Sequence, residues 1–276
     1  MFLLGLSSCV AQIDSSNHNT PSKSRTQNTS VFITIRNDGL TALNAAGHVL
    51  TAPTTWDGAD WLMVGGVVGA TTSCFLLDDE ALDLMRRNQS SFNKSATRVA
   101  VEYGSGYFAV GLPAAMYISG LVFEERWMRE TAVLMGSTLL LTSAITTAGK
   151  IAIGRARPYA DFGNHEFRPF NVHADFMSFP SGHTTTAFAL SAVLAARIKN
   201  PWASVGLYGA ATAAAVSRMY TRDHWLSDVV FAAAYTTAAA HSIVKWFENE
   251  RENERDAHTL NIIPTTSGVS IVWQLR

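Results

Sequence analysis

Six of the stretches of this chain that contain no Asp, Glu, Lys or Arg stand out by their apolar content: residues 61–77, 103–123, 131–149, 184–196, 200–217 and 229–244. Each is longer than an ordinary strand, and each is rich in Ala, Gly, Leu and Val, so each reads as a helix. An all-α bundle of about six core helices follows. Residues 80–100 are more polar and read as one further amphipathic helix, with Asp83 and Arg87 a helical turn apart. Pro113 implies a kink in the second run. The C-terminus has a different period. Val269, Ile271, Trp273 and Leu275 alternate with Ser270, Val272 and Gln274, which is strand spacing. With Leu260, Ile262 and the Pro264 to Gly268 turn, this predicts a small β-hairpin over 259–276. Val31 to Ile35 could supply a third strand.

The ends organise the rest. Met1 to Leu6 is apolar and small residues run on to Ala11, which resembles the tail of a secretory signal peptide. Leu6-Ser7-Ser8-Cys9 also resembles a lipoprotein cleavage box, and cleavage after Ala11 is an alternative. Residues 14–30 are rich in Ser, Asn and Thr and predict an unstructured stretch. Residues 1–30 therefore form a leader, 31–258 one helical domain, and 259–276 the hairpin packed on it. Cys9 and Cys74 are the only cysteines, so no disulfide framework is expected.

Lys plus Arg number 21 against 22 Asp plus Glu, which gives no general attraction to nucleic acid. Charged residues make up 16% of the chain, below the roughly 25% of soluble domains. A membrane span needs about 20 apolar residues, and the second and third runs reach that length. Runs 184–196 and 229–244 fall short. The balance favours an exported bundle that is periplasmic or attached to the membrane surface, with an integral inner-membrane protein as the alternative.

Three short segments carry the chemistry. Lys150 precedes Arg157-Pro158; Pro180-Ser181-Gly182-His183 opens the fourth run; Ser217-Arg218 is followed by His224 and Asp228. They supply cations, two imidazoles, a hydroxyl and a glycine turn, an inventory suited to a phosphoryl transition state. Arg157 and Arg218 offer planar forks for phosphate oxygens, and Lys150 a point charge. Gly182 permits close backbone approach at a helix start, where N–H groups attract anions. Asp228 lies one helical turn after His224, placed to hold Nδ1–H and leave Nε2 free.

In this order and spacing the segments resemble the three-part signature of the type 2 phosphatidic acid phosphatase and vanadium haloperoxidase superfamily, over about residues 130–245. The resemblance implies a helical bundle with its site at one end. It implies that His224 attacks phosphorus to form a phosphohistidine, that Asp228 orients it, and that His183 protonates the leaving alcohol. Lys150, Arg157, Ser181, Gly182 and Arg218 would bind the phosphoryl group. No cofactor or metal is called for, because the cations take that part. The substrate would be a phosphorylated lipid, such as phosphatidic acid, or a small phosphate ester or diphosphate. A vanadate-dependent haloperoxidase and a non-catalytic phosphate-binding envelope protein are the alternatives.

Several neighbours are left outside the site. Arg155 matches no fixed position and reads as a surface residue; Asp223 tunes the site or caps a helix. His165, Glu166, His173 and Asp175 lack metal-ligand spacing and read as loop residues. Tyr159, Phe162, Phe167, Phe170, Phe176 and Phe179 could line an apolar entrance. Where many family members carry glycine after the final Asp, Val229-Val230-Phe231 follows here.

Overall fold

The computed structural model describes residues 23–257, 260–265 and 268–273, with side chains from 31 to 255. The leader features at Cys9 and Ala11 lie outside the described residues. The chain divides after Arg36 into two compact units, and the helical core and the motif segments belong to the second, from Asn37 onward.

The architecture is all-α. The described helices are α1 (Lys23–Thr51), α2 (Gly58–Leu76), α3 (Asp78–Arg87), α4 (Ser91–Tyr103), α5 (Gly106–Val122), α6 (Arg126–Ile153), α7 (Gly182–Ile198), α8 (Pro201–Tyr220) and α9 (Leu226–Ala257). Each uncharged run is the body of one of them. Two short strands, β1 (Leu260–Thr265) and β2 (Gly268–Trp273), pair antiparallel with Leu260 opposite Trp273.

Local chemistry sets the boundaries. Asp57 caps α2 in a reciprocal box with Asp60. Ser105, Ser181 and Asn200 cap α5, α7 and α8, and Pro201 occupies the first turn of α8. Gly154 ends α6 in the left-handed region at φ +59°, where a Cβ would lie 1.8 Å from the Arg168 carbonyl oxygen. Only glycine fits there.

Three expectations fail. Val31 to Ile35 belongs to α1, not to a strand, because β-branched propensity is a weak local preference that helix continuation overrides. Residues 23–30, assigned by composition to an unstructured leader, are the first turns of the same helix. Residues 80–100 form two helices, since Ser90 accepts from the Asn93 N–H and starts a new one.

The core lies between α6, α7 and α9. Leu134, Met135 and Leu139 meet Leu190, Val193, Ile243 and Val244, with Ala189, Ala192 and Ala240 allowing close backbone approach. Buried Thr138 and Thr142 donate to carbonyls one turn back, which satisfies their hydroxyls inside an apolar helix. Tyr103 of α4 hydrogen-bonds Ser191 of α7 at 2.8 Å, tying the outer helices to this core.

The outside is unusually apolar. No residue of α2 is buried, and it exposes Trp61, Leu62, Met63 and Val68. Val110 and Ile118 of α5, Leu140 of α6 and Val205 of α8 are exposed too. A patch of that extent marks contact with a membrane or a partner. By length and composition α2 and α6 can each cross a membrane, and α4 with α5, bent by 50°, can make a third span.

Candidate active site

The three motif segments converge at one end of the bundle. Lys150 ends α6, and Arg155 and Arg157 follow on the loop. Ser181 caps α7, with Gly182 and His183 in its first turn. Arg218 lies in the last turn of α8, His224 in the loop beyond, and Asp228 in the first turn of α9. Backbone bonds stitch these segments together: Ser181 N–H donates to the Asp228 carbonyl at 3.2 Å, Ser178 N–H to that of Arg155 at 3.1 Å, and His224 N–H to that of Arg218 at 3.2 Å.

A pocket of about 280 Å³ opens beside them, lined by Gly104, Ser143, Lys150, Gly182, His183 and Thr186. A side chain at Gly182 would meet only open space, so the start of α7 faces this pocket. Gly104 closes the other side. A Cβ there would lie 2.6 Å from the His183 carbonyl oxygen, so the α4–α5 turn rests directly on the His183 backbone.

The cations are held on fixed frames. Lys150 Nζ donates to the Met177 carbonyl at 2.6 Å and to that of Ser178 at 3.3 Å. Asp223 joins the two arginines: Arg157 Nη1 reaches Oδ1 at 3.3 Å and Arg218 Nη2 reaches Oδ2 at 2.9 Å. Nε of both guanidiniums is buried without a partner among the described residues. Donors of this kind are poised for an anion. Ser181 Oγ accepts from the Thr184 hydroxyl at 2.9 Å, leaving its own proton to donate.

His224 is 3% exposed, and its Nδ1 stands 3.6 Å from Asp228 Oδ2 with no closer partner. Burial holds the pKa of His224 down to about 4, against the pull of Asp228. Burial likewise brings His183 to about 4, with Arg218 adding to the effect. Burial alone would raise Asp228. The Arg155 guanidinium, His224 and the Ser178 hydroxyl overcome that and bring it down to about 2. Neutral imidazoles beside an ionised carboxylate are the resting state at pH 7.

Arg155 corrects the sequence reading. It is not a surface residue; it is 1% exposed and lies directly behind the His224–Asp228 pair. Nη1 donates to Asp228 Oδ1 at 2.6 Å and to Ser227 Oγ at 2.7 Å, and Nη2 to Asp78 Oδ2 at 2.6 Å. Its guanidinium lies over the rings of Phe75 at 4.7 Å and Trp225 at 5.3 Å. Sequence reasoning also missed Ser178, whose hydroxyl donates to Asp228 Oδ2 over a short contact, and Gly104. The Gly104-Ser105-Gly106 turn was the only available signal for the last.

The loop residues divide. Phe176 is buried and stacks on Phe162 at 5.4 Å, and Phe179 packs on Phe231 at 4.8 Å, so these are loop-packing rings. Phe170 is 77% exposed. His165 packs on Phe75, Glu166 pairs with Arg168, and His173 pairs with Asp175. Among the described residues no three His, Cys, Asp or Glu side chains gather as a metal group.

A histidine–carboxylate pair braced by Arg155, with Lys150, Arg157 and Arg218 on the neighbouring segments at one end of a helical bundle, is an arrangement suited to an anion. Residues 131–252 match the family model of the PAP2 superfamily. A lipid A 1-phosphatase of Porphyromonas gingivalis is 30% identical over 172 residues, covering 61% of this chain and 34% of that protein. One from Rhizobium etli is 37% identical over 101 residues, covering 36% of this chain and 43% of that protein. The matches thus span less than half the length of these relatives. Among solved structures, LpxE of Aquifex aeolicus aligns with TM-score 0.50 and 21% identity, over 61% of this chain and 95% of that one. The first transmembrane PAP2 type phosphatidylglycerolphosphate phosphatase of Bacillus subtilis aligns with TM-score 0.51 and 16% identity, over 77% and 95%. At those identities the likeness is one of fold.

Proposed function

We propose that this protein is a membrane-seated phosphatase that hydrolyses the phosphate ester of a lipid through a phosphohistidine, with lipid A 1-phosphate the first substrate to test. The observation that carries the reading is that Arg157 and Arg218, from two separate segments, meet on Asp223 at 3.3 and 2.9 Å while each keeps a buried Nε without a partner among the described residues. That arrangement suits a group with three charged oxygens.

In the proposed reaction these cations, the Ser181 hydroxyl and the Gly182 amide hold the phosphoryl oxygens. Asp228 accepts Nδ1–H of His224, and the Nε2 lone pair attacks phosphorus as the bond to the lipid oxygen breaks. His183 gives that oxygen its proton. An anionic group entering the pocket stabilises the imidazolium, so His183 takes up its proton with the substrate. Water then attacks the phosphohistidine, His183 accepts the water's proton, and inorganic phosphate leaves. The side-chain cations provide the charge stabilisation, so turnover is expected to persist in EDTA.

The exposed apolar helices and the curated relatives support a lipid substrate. We extend the proposal to a site facing away from the cytoplasm. Phosphate release from lipid A in detergent tests the substrate, and His224→Ala tests the site. Full activity in that variant would overturn the assignment.

A further inference from the structure

We propose that Arg155 is a positioning residue for the reaction: by bridging Asp78 and Asp228 it turns the Asp228 carboxylate so that Oδ2 meets His224 Nδ1. This inference rests on the phosphatase reading above and adds a supporting layer to it.

The geometry leaves Asp228 little freedom. It is 0% exposed, so no bulk water competes for its oxygens. Oδ1 is taken by Arg155, while Oδ2 accepts from the Ser178 hydroxyl and from the Trp225 N–H at 3.0 Å. Rotation of the carboxylate would break all of these at once. The oxygen that faces His224 is therefore set by the guanidinium on Oδ1 together with the Ser178 and Trp225 donors on Oδ2.

Asp78 completes the device from a distant part of the chain. Its Oδ1 accepts the Ser227 N–H at 2.9 Å and its Oδ2 the Ser227 hydroxyl at 2.8 Å, so it caps the start of α9 from the first residue of α3. Arg155 Nε and Nη2 also donate to the Asn164 carbonyl at 3.3 and 3.2 Å. One planar fork thus fixes the loop after α6, the start of α3 and the helix that follows the nucleophile. Lysine has no such fork.

The test uses wild type, Arg155→Lys, Asp78→Asn, Asp228→Asn and the Arg155→Lys/Asp228→Asn double variant, purified in detergent. Turnover is expressed per folded, monodisperse protein. A positioning role predicts that Arg155→Lys and Asp78→Asn each lower kcat about 10- to 100-fold. KM and the inhibition constant for inorganic phosphate should stay within about threefold, because the phosphate ligands are untouched. In the Asp228→Asn background, Arg155→Lys should cost less than about threefold more, the non-additivity of residues acting as one unit. Unchanged kcat per folded molecule in both variants, or fully additive losses, would overturn the inference and leave Arg155 a structural residue. Should Arg155→Lys not fold, Asp78→Asn decides by the same readout. Failure of the wild type to hydrolyse any ester would overturn the phosphatase reading and this inference together. Wild-type turnover with unaltered variants would overturn this inference alone.

Discussion

His224 Nδ1 and Asp228 Oδ2 face each other across 3.6 Å, at the turn that begins α9. That is just beyond hydrogen-bond length, and Nδ1 has no other partner among the described residues. The pair is aligned, and a shift of a few tenths of an ångström closes it. Closure on phosphate binding makes Nδ1 the protonated nitrogen and Nε2 the attacking one. Asp228→Asn keeps the shape and removes the charge. Its kcat should fall about 10²- to 10⁴-fold with KM nearly unchanged, as for other oriented imidazoles. Steady-state kinetics on the purified variant checks this, and a KM effect alone would place Asp228 in binding.

Acid should destabilise the fold. His183 and His224 both stand at about 4 in the folded protein against an ordinary 6.5, burial being the main cause in each. Above pH 6.5 neither state carries these protons. Between 6.5 and 4 the unfolded chain binds protons that the folded chain excludes, so stability is lost as pH falls through that window. The apparent melting temperature in detergent should drop between pH 7 and 4.5, and a His183→Gln/His224→Gln variant should lose much of that slope. A flat wild-type curve would contradict the burial of these rings.

The glycines predict opposite outcomes. Gly154→Ala puts a Cβ 1.8 Å from the Arg168 carbonyl oxygen at a positive φ, so it should lower the melting temperature sharply or prevent folding. Gly182→Ala meets open space and should leave the melting temperature within about 2 °C. It narrows the pocket and should reduce kcat/KM about tenfold or more. Thermal denaturation and kinetics on both variants separate backbone strain from loss of room for substrate.

Orientation is open to a labelling test. Phe170 lies on the loop between the first two motif segments and is 77% exposed. In the proposed topology Phe170→Cys should react with a membrane-impermeant maleimide in intact spheroplasts. Reaction only after permeabilisation would put the site on the cytoplasmic side.

Much of this was legible because it is local. An uncharged run rich in Ala, Leu and Thr and far longer than a strand, such as 131–149, reports a helix whichever neighbours it meets, and the motif segments of His183, His224 and Asp228 meet at one end of the bundle. What failed depended on distant partners. Arg155 looked like a surface cation because nothing nearby in sequence tells of Asp78, which meets Ser227 across 149 residues. Ser178 and Gly104 were hidden for the same reason: one serves Asp228, the other the His183 backbone, and neither spacing repeats. Val31 to Ile35 failed in the opposite way, a strong local pattern overridden by the helix that contains it.

The most direct test is phosphate release from lipid A by wild type and His224→Ala, in detergent with EDTA present. The account predicts steady release by wild type and a loss of at least about 10³-fold in the variant, as for a missing nucleophile. Comparable release by both proteins would contradict His224 as the attacking group.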